Sequence, residues 1–256
     1  MRRTLTEISA VSGRILLELV RTRRSLIMWA IFPALMLLLF GLIYAGGSSR
    51  SASFDYTAPG ILIGAALFFS CLGGPTALIV GEREHRTLRR LLLSPLRPSS
   101  YFLGITAAYF VIAIAQTAIV YSIAFAFGGK FHGSWPLGLL IIVLSVMSFV
   151  GLGFFFGARF ARRSEDVNGP VAAFGVPLLV LGGTFFPVSI LPSYLLKAAH
   201  LDPVFHMNQA LKLVSAAGAG ADEIVVHLIF LVAFAVASIA IGIYSYRGML
   251  KRELSA

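Results

Sequence analysis

Residues 58–98 read APGILIGAALFFSCLGGPTALIVGEREHRTLRRLLLSPLRP. No charge occurs from Ala58 to Val80, after which two Glu and five Arg crowd into residues 82–97, and Pro95 and Pro98 close the run. A helix needs roughly 20 apolar residues to cross about 30 Å of hydrocarbon. The uncharged part therefore reads as a membrane-spanning helix, and the sudden charge marks its emergence into water.

The rest of the chain repeats this pattern. Of its 256 residues 58% are hydrophobic and 12% charged, with a mean hydropathy of +0.88, which excludes an ordinary water-soluble globular domain. Six windows lack charge over the length of a span: 25–45, 58–80, 101–127, 136–158, 171–190 and 224–246. The alternation of a membrane β-barrel is absent, so the spans read as helices, whose backbone polar groups are satisfied within the segment. The sequence thus predicts one all-α integral membrane domain with six transmembrane helices. Pro177, Pro187 and Pro192 punctuate the fifth. The apolar core of the first is too long, and its leader too extended, for a cleaved secretory signal. Cys71 is the only cysteine and has no partner for a disulfide.

Lys and Arg are unevenly distributed. The leader 1–24, the connections 81–100 and 159–170 and the tail 247–256 hold 17 of the 21; the alternate connections hold Arg50, Lys130, Lys197 and Lys212. Positive residues are retained on the cytoplasmic side, which predicts that both termini and the 81–100 connection are cytoplasmic. The formal charge of +10 belongs to this orientation and to anionic head groups; it lacks the interleaved aromatics of a nucleic-acid surface.

In the leader, Leu5, Ile8, Ile15, Leu16 and Leu19 share one helical face, opposite Arg3, Glu7, Arg14, Glu18 and Arg21. Thr4 and Glu7 have capping-box spacing. This is an amphipathic helix over 1–24, lying on the membrane surface, packed on the rest of the protein, or both. Residues 82–93 make three helical turns with Glu82 and Glu84 first and Arg89 and Arg90 last, matching the helix dipole, until Ser94-Pro95 ends them. From the residues alone two readings stand: a solvated turn rich in retention charge, or a docking helix with Leu88, Leu91 and Leu92 on its apolar edge.

The run GEREHRTLRRLLLSPLRPSSYFLG (81–104) resembles the coupling-helix region of type-2 ABC exporter membrane subunits, whose pattern is ERE-x-x-TL-x-x-L-L-x-(S/T)-P-(L/V). A second stretch, GGTFFPVSILPSYLLKAAHLDPVFHMNQALK (182–212), resembles the same family's outer segment. The resemblance covers essentially the whole chain. It implies a permease subunit that pairs with a second membrane subunit, as homodimer or heterodimer, and with separate ATPase subunits carrying ATP and Mg²⁺. Docking onto the ATPase would fall to Glu82, Arg83, Glu84, Thr87, Leu88, Leu91 and Leu92; His85 and Arg86 sit where the family varies. The cargo classes implied are drug-like molecules, lipids or lipid-linked glycans, and the membrane a bacterial cytoplasmic one. By the same resemblance the second and fifth spans line the substrate path, which makes Phe68, Phe69 and Phe174 candidate substrate contacts, against a default of ordinary packing.

The remaining features bear on mechanism. Gly129-Lys130 is followed by Phe131 rather than Ser or Thr, so no phosphate-binding loop is present and the chain is not expected to hydrolyse ATP by itself. No Asp, Glu, Lys or Arg lies within a span, which disfavours an ion-coupled carrier. His85, His132, His200, His206 and His227 lack metal-ligand spacing. Gly60 with Gly64 and Gly153 with Gly157 have the small-xxx-small spacing of close helix packing. Residues 184–223 are too apolar for a free loop and read as a re-entrant helical segment in the outer leaflet, with Asp202, His206 and Asn208 at an exit or simply solvated. A passive channel or scramblase is the competing class.

Overall fold

A computed structural model describes residues 2–85, 87, 96–160, 163 and 166–255, without the side chains of Arg2, Asn168, Pro170, Phe174 and residues 252–255. Its described residues are helices joined by short turns, with no strands among them. The helices are α1 (Arg2–Thr22), α2 (Arg24–Ala45), α3 (Arg50–Glu84), α4 (Pro98–Ala126), α5 (Trp135–Arg159), α6 (Asn168–Leu181), α7 (Ser193–Ala199), α8 (Pro203–Ser215) and α9 (Val225–Ser255). Among the described residues, α2, α3, α4, α5 and α9 are long and apolar enough to cross a membrane. This is an all-α integral membrane fold.

The fifth expected span, 171–190, differs. Its helix α6 has 14 residues, about 21 Å at 1.5 Å per residue, short of the roughly 30 Å hydrocarbon core. Gly182 and Gly183 end it: Gly183 takes φ +67°, a left-handed position that suits glycine. The Thr184 N–H then donates to Leu179 O at 3.1 Å.

α3 is the central helix, with 78% of its most apolar window buried. It begins upstream of the uncharged window because Ser49 caps it, accepting from Ala52 N at 3.3 Å. From Ile61 to Gly73 its turns widen into π-helix, between Pro59 and Pro75, each of which removes a backbone donor. The neighbours approach closely where side chains are missing. A methyl at Gly153 of α5 would lie 2.7 Å from Leu72 O, and one at Gly157 would lie 3.1 Å from Ile79 Cβ, both on α3. One at Gly60 would lie 2.7 Å from Thr184 O, and one at Gly64 would collide with the Thr184 side chain. On its other side, α5 meets α9 through Gly151, where a methyl would lie 2.6 Å from Ser238 C, and through Gly242, whose Cβ would strike Gly151 O.

α1 lies along α4. Val11 and Ile15 are buried there, with Val11 seated over Gly104, whereas Leu5 is 61% exposed. Residues 188–190 form a single 3₁₀ turn, and α7 and α8 follow. Asp202 caps α8, its Oδ1 accepting from Val204 N at 2.9 Å, and Phe205 to Asn208 are all buried.

Candidate functional site

Most of the described basic residues lie at one end of the bundle, where α1, the end of α3 and the end of α5 meet. Glu82 closes α3 and is 7% exposed. One carboxylate oxygen accepts from the Arg14 guanidinium of α1 and the other from the Tyr101 hydroxyl of α4. The Tyr101 ring stacks on Tyr246 of α9 at 5.5 Å, so four helices converge on one carboxylate. A buried carboxylate is costly unless a cation and hydrogen bonds compensate it, and here both are present.

Of the expected docking residues, Glu84 and Thr87 are exposed and Arg83 is half-buried, while Glu82 faces inward. The Thr87 hydroxyl donates back to Glu82 O at 3.1 Å. Leu88, Leu91 and Leu92 lie outside the described residues.

The aromatic candidates separate. Phe68 is 3% exposed and lines an entirely apolar cavity of about 290 Å³ with Phe149, Phe156, Leu178, Val204 and Phe234, between α3, α5, α6, α8 and α9. Its ring fills the place a side chain at Gly175 would take. Phe69, the next residue, turns towards α2 and meets Phe32 edge-on at 5.6 Å. The side chain of Phe174 lies outside the described residues.

At the opposite end, Asp202, His206 and Asn208 are buried rather than solvated. Asn208 Nδ2 donates to Gly182 O at 2.8 Å and to Thr184 Oγ1 at 3.1 Å, replacing partners that the end of α6 lost. His206 Nε2 donates to His200 O at 3.0 Å, which leaves Nδ1 to accept from His227 Nδ1 at 2.8 Å. Lys212 Nζ donates to Gly183 O at 2.8 Å and sits 4.3 Å from the Tyr56 ring centre. Burial lowers its pKa to about 8. Among the described residues no three His, Cys, Asp or Glu gather as metal ligands.

Sequence reasoning missed Arg14, Tyr101 and Lys212 as site-forming groups, and missed Gln116. Gln116 alone carried a local signal, as the one amide in the 101–127 window. Its Nε2 donates to Trp29 O at 3.0 Å, and its Oε1 accepts from Ser70 Oγ at 2.8 Å.

Comparison with known proteins agrees with this architecture. The family model described as ABC-2 type transporter matches residues 6–214. The chain is 30% identical over 135 residues to the Escherichia coli (strain K12) protein named "Probable multidrug ABC transporter permease YbhR", a match covering 52% of this chain and 36% of that protein. It is 24% identical over 171 residues to "Inner membrane transport permease YhhJ" of the same strain, covering 66% of this chain and 46% of the relative. With "Inner membrane transport permease YadH" it shares 25% over 158 residues, covering 60% and 59%. The chain thus spans little more than a third of YbhR and less than two thirds of the others.

Proposed function

The chain belongs to the ABC-2 type transporter family, and from that premise we propose that it is the membrane-spanning permease subunit of an ATP-driven exporter, carrying a hydrophobic or amphipathic molecule outward across a bacterial cytoplasmic membrane. The ATPase is a separate subunit, holding ATP and Mg²⁺, and a second permease subunit completes the pathway. Both termini and the 81–100 connection face the cytoplasm, as the distribution of Lys and Arg favours.

The observation that carries this reading is the placement of the ERE motif. Glu82 ties the end of α3 to α1 and α4 through Arg14 and Tyr101, and Glu84 and Thr87 stay exposed beyond that anchor. Glu82 then positions the docking segment, and Glu84, Thr87 and the following leucines meet the ATPase. Movement delivered there passes into α3, which runs unbroken from Arg50 to Glu84 past the Phe68 cavity. Multidrug permeases among its relatives favour an apolar cargo.

The test is purification of the tagged chain from its host in mild detergent, with assay of bound ATPase activity. A co-purifying ATPase that is lost on Glu84→Arg or Leu88→Asp, with membrane insertion unchanged, is expected. A monodisperse preparation without any ATPase partner overturns the reading and returns the 81–98 run to a retention-charge connection.

A further inference from the structure

The Gly151–Gly242 contact brings α5 and α9 so close that larger residues are displaced to either side. On one side Phe154 packs against Tyr246, ring centres 5.4 Å apart, and the space is filled. On the other the space stays open as a groove of about 380 Å³ at the basic end, between Phe155, Arg159, Ile241, Tyr244 and Gly248. Arg159, the last residue of α5, is exposed and has no ion-pair partner among the described residues. Among the described residues no carboxylate lines the groove. Arg163, Arg247 and Lys251 are exposed nearby in the sequence of the same two helix ends, deepening the positive potential.

Beyond Arg159 the groove is lined by the apolar Phe155, Ala158, Ile241 and Met249, with the hydroxyls of Tyr244 and Ser245 among them. Phe155 belongs both to its wall and to the wall of the cavity that contains Phe68, Leu152 and Phe234. Phe155 is the wall the two spaces share, so a track past it would be lined by residues 152, 155 and 159 of α5 and 234, 241, 245 and 248 of α9. It opens to the bilayer at Ile241, 47% exposed, and Tyr244, 81% exposed. A fixed cation at head-group depth, followed along two helices by an apolar track facing lipid, is complementary to an anionic lipid and to no purely polar ion.

We infer that the α5–α9 groove is a seat for an anionic glycerophospholipid, its phosphate on Arg159 and one acyl chain lying past Phe155 towards the Phe68 cavity. This site is independent of the transport reading, because it requires neither an ATPase nor a second permease subunit. Free phosphate shares the head-group chemistry but gains nothing from the track.

Native mass spectrometry of the full chain, released from nanodiscs of equal phosphatidylglycerol and phosphatidylcholine, tests it. One phosphatidylglycerol should remain bound per chain in preference to phosphatidylcholine. Arg159→Gln should reduce that retention about tenfold, the loss of one charge-assisted contact. Gly248→Leu, whose side chain enters open space, should reduce it too by narrowing the groove. Arg50→Gln, at the opposite end of α3 and outside the groove, should leave it unchanged. Equal retention of both lipids, or unaltered phosphatidylglycerol binding in Arg159→Gln, overturns the inference. Displacement of the lipid by millimolar inorganic phosphate also overturns it, by showing that Arg159 holds a phosphate without the chain.

Discussion

Gln116 on α4 donates to the Trp29 carbonyl on α2 at 3.0 Å, and that carbonyl is the one Pro33 leaves without a helical partner. Within α2 the N–H four residues after Trp29 would be that of position 33, and proline has none. A helix inside a bilayer cannot hand such a group to water. Gln116→Leu should therefore cost about 1 kcal/mol, the scale of interhelical hydrogen bonds in membranes, read as a lower melting temperature in detergent. In a Pro33→Ala background the helix satisfies Trp29 by itself, and the cost of Gln116→Leu should shrink. An undiminished cost would assign the effect to packing or to Ser70 instead.

The Arg14–Glu82 pair makes a second prediction. Glu82 is nearly enclosed while the Arg14 side chain is 42% exposed, so the two ends are not equivalent. Arg14→Met leaves a buried carboxylate with only Tyr101, and should destabilise by about 1–3 kcal/mol after allowance for solvent around the arginine. Glu82→Gln should cost less, because the freed guanidinium can turn to water. Combining Arg14→Met with Glu82→Met should recover part of the loss. A double variant no better than Arg14→Met alone would contradict the desolvation argument.

Arg23, between α1 and α2, has φ +51°, a conformation that side chains with a Cβ adopt at a cost. Its backbone still follows the helical pattern, with Arg23 N–H donating to Leu19 O at 2.9 Å. Arg23→Gly should be neutral or stabilising by up to about 1 kcal/mol, whereas Arg23→Val should be destabilising. Thermal melts of the two variants side by side decide the matter.

Asp202 gives a pH dependence. Burial pushes its carboxyl up to about 7, against the hydrogen bonds from Val204 and Phe205 that favour the charged form; the unfolded value is near 4. The folded state holds the proton more tightly, so the Asp202 contribution is complete below about pH 4 and is lost as pH rises towards 7, on the order of a few kcal/mol. Asp202→Asn keeps a capping oxygen and cannot ionise. Relative to this variant, the wild type should lose stability between about pH 4 and 7; His200, His206 and His227 are common to both and cancel in the difference. A constant difference across that range would refute the assignment.

The all-helical membrane fold was legible in uncharged windows such as 58–80, because burying charge in hydrocarbon is costly enough to override other preferences. The ends of the elements were less so. α3 begins at Arg50 although the window begins at Ala58, because Asp55 is accommodated by the turn after α4, accepting from Lys130 N at 2.5 Å. α6 stops at Leu181 although the apolar residues continue, because Gly183 can turn the chain and α8 supplies polar partners at that depth. The candidate site was legible as a motif but not as an arrangement. That Glu82 faces inward depends on Arg14, 68 residues earlier in the chain, and no local periodicity encodes that pairing.

The shortness of α6 also matters for biosynthesis. A 14-residue segment is a weak candidate for retention by the insertion machinery on its own. Its polar end groups are met by Asn208 and Lys212, which emerge from the ribosome only after it. The first four spans are able to settle in the order they are made, but this part of the protein has to wait for sequence downstream. The end of α6 is therefore complete only once α8 has been made, so a chain truncated before Asn208 leaves the Gly182 and Gly183 carbonyls without these donors.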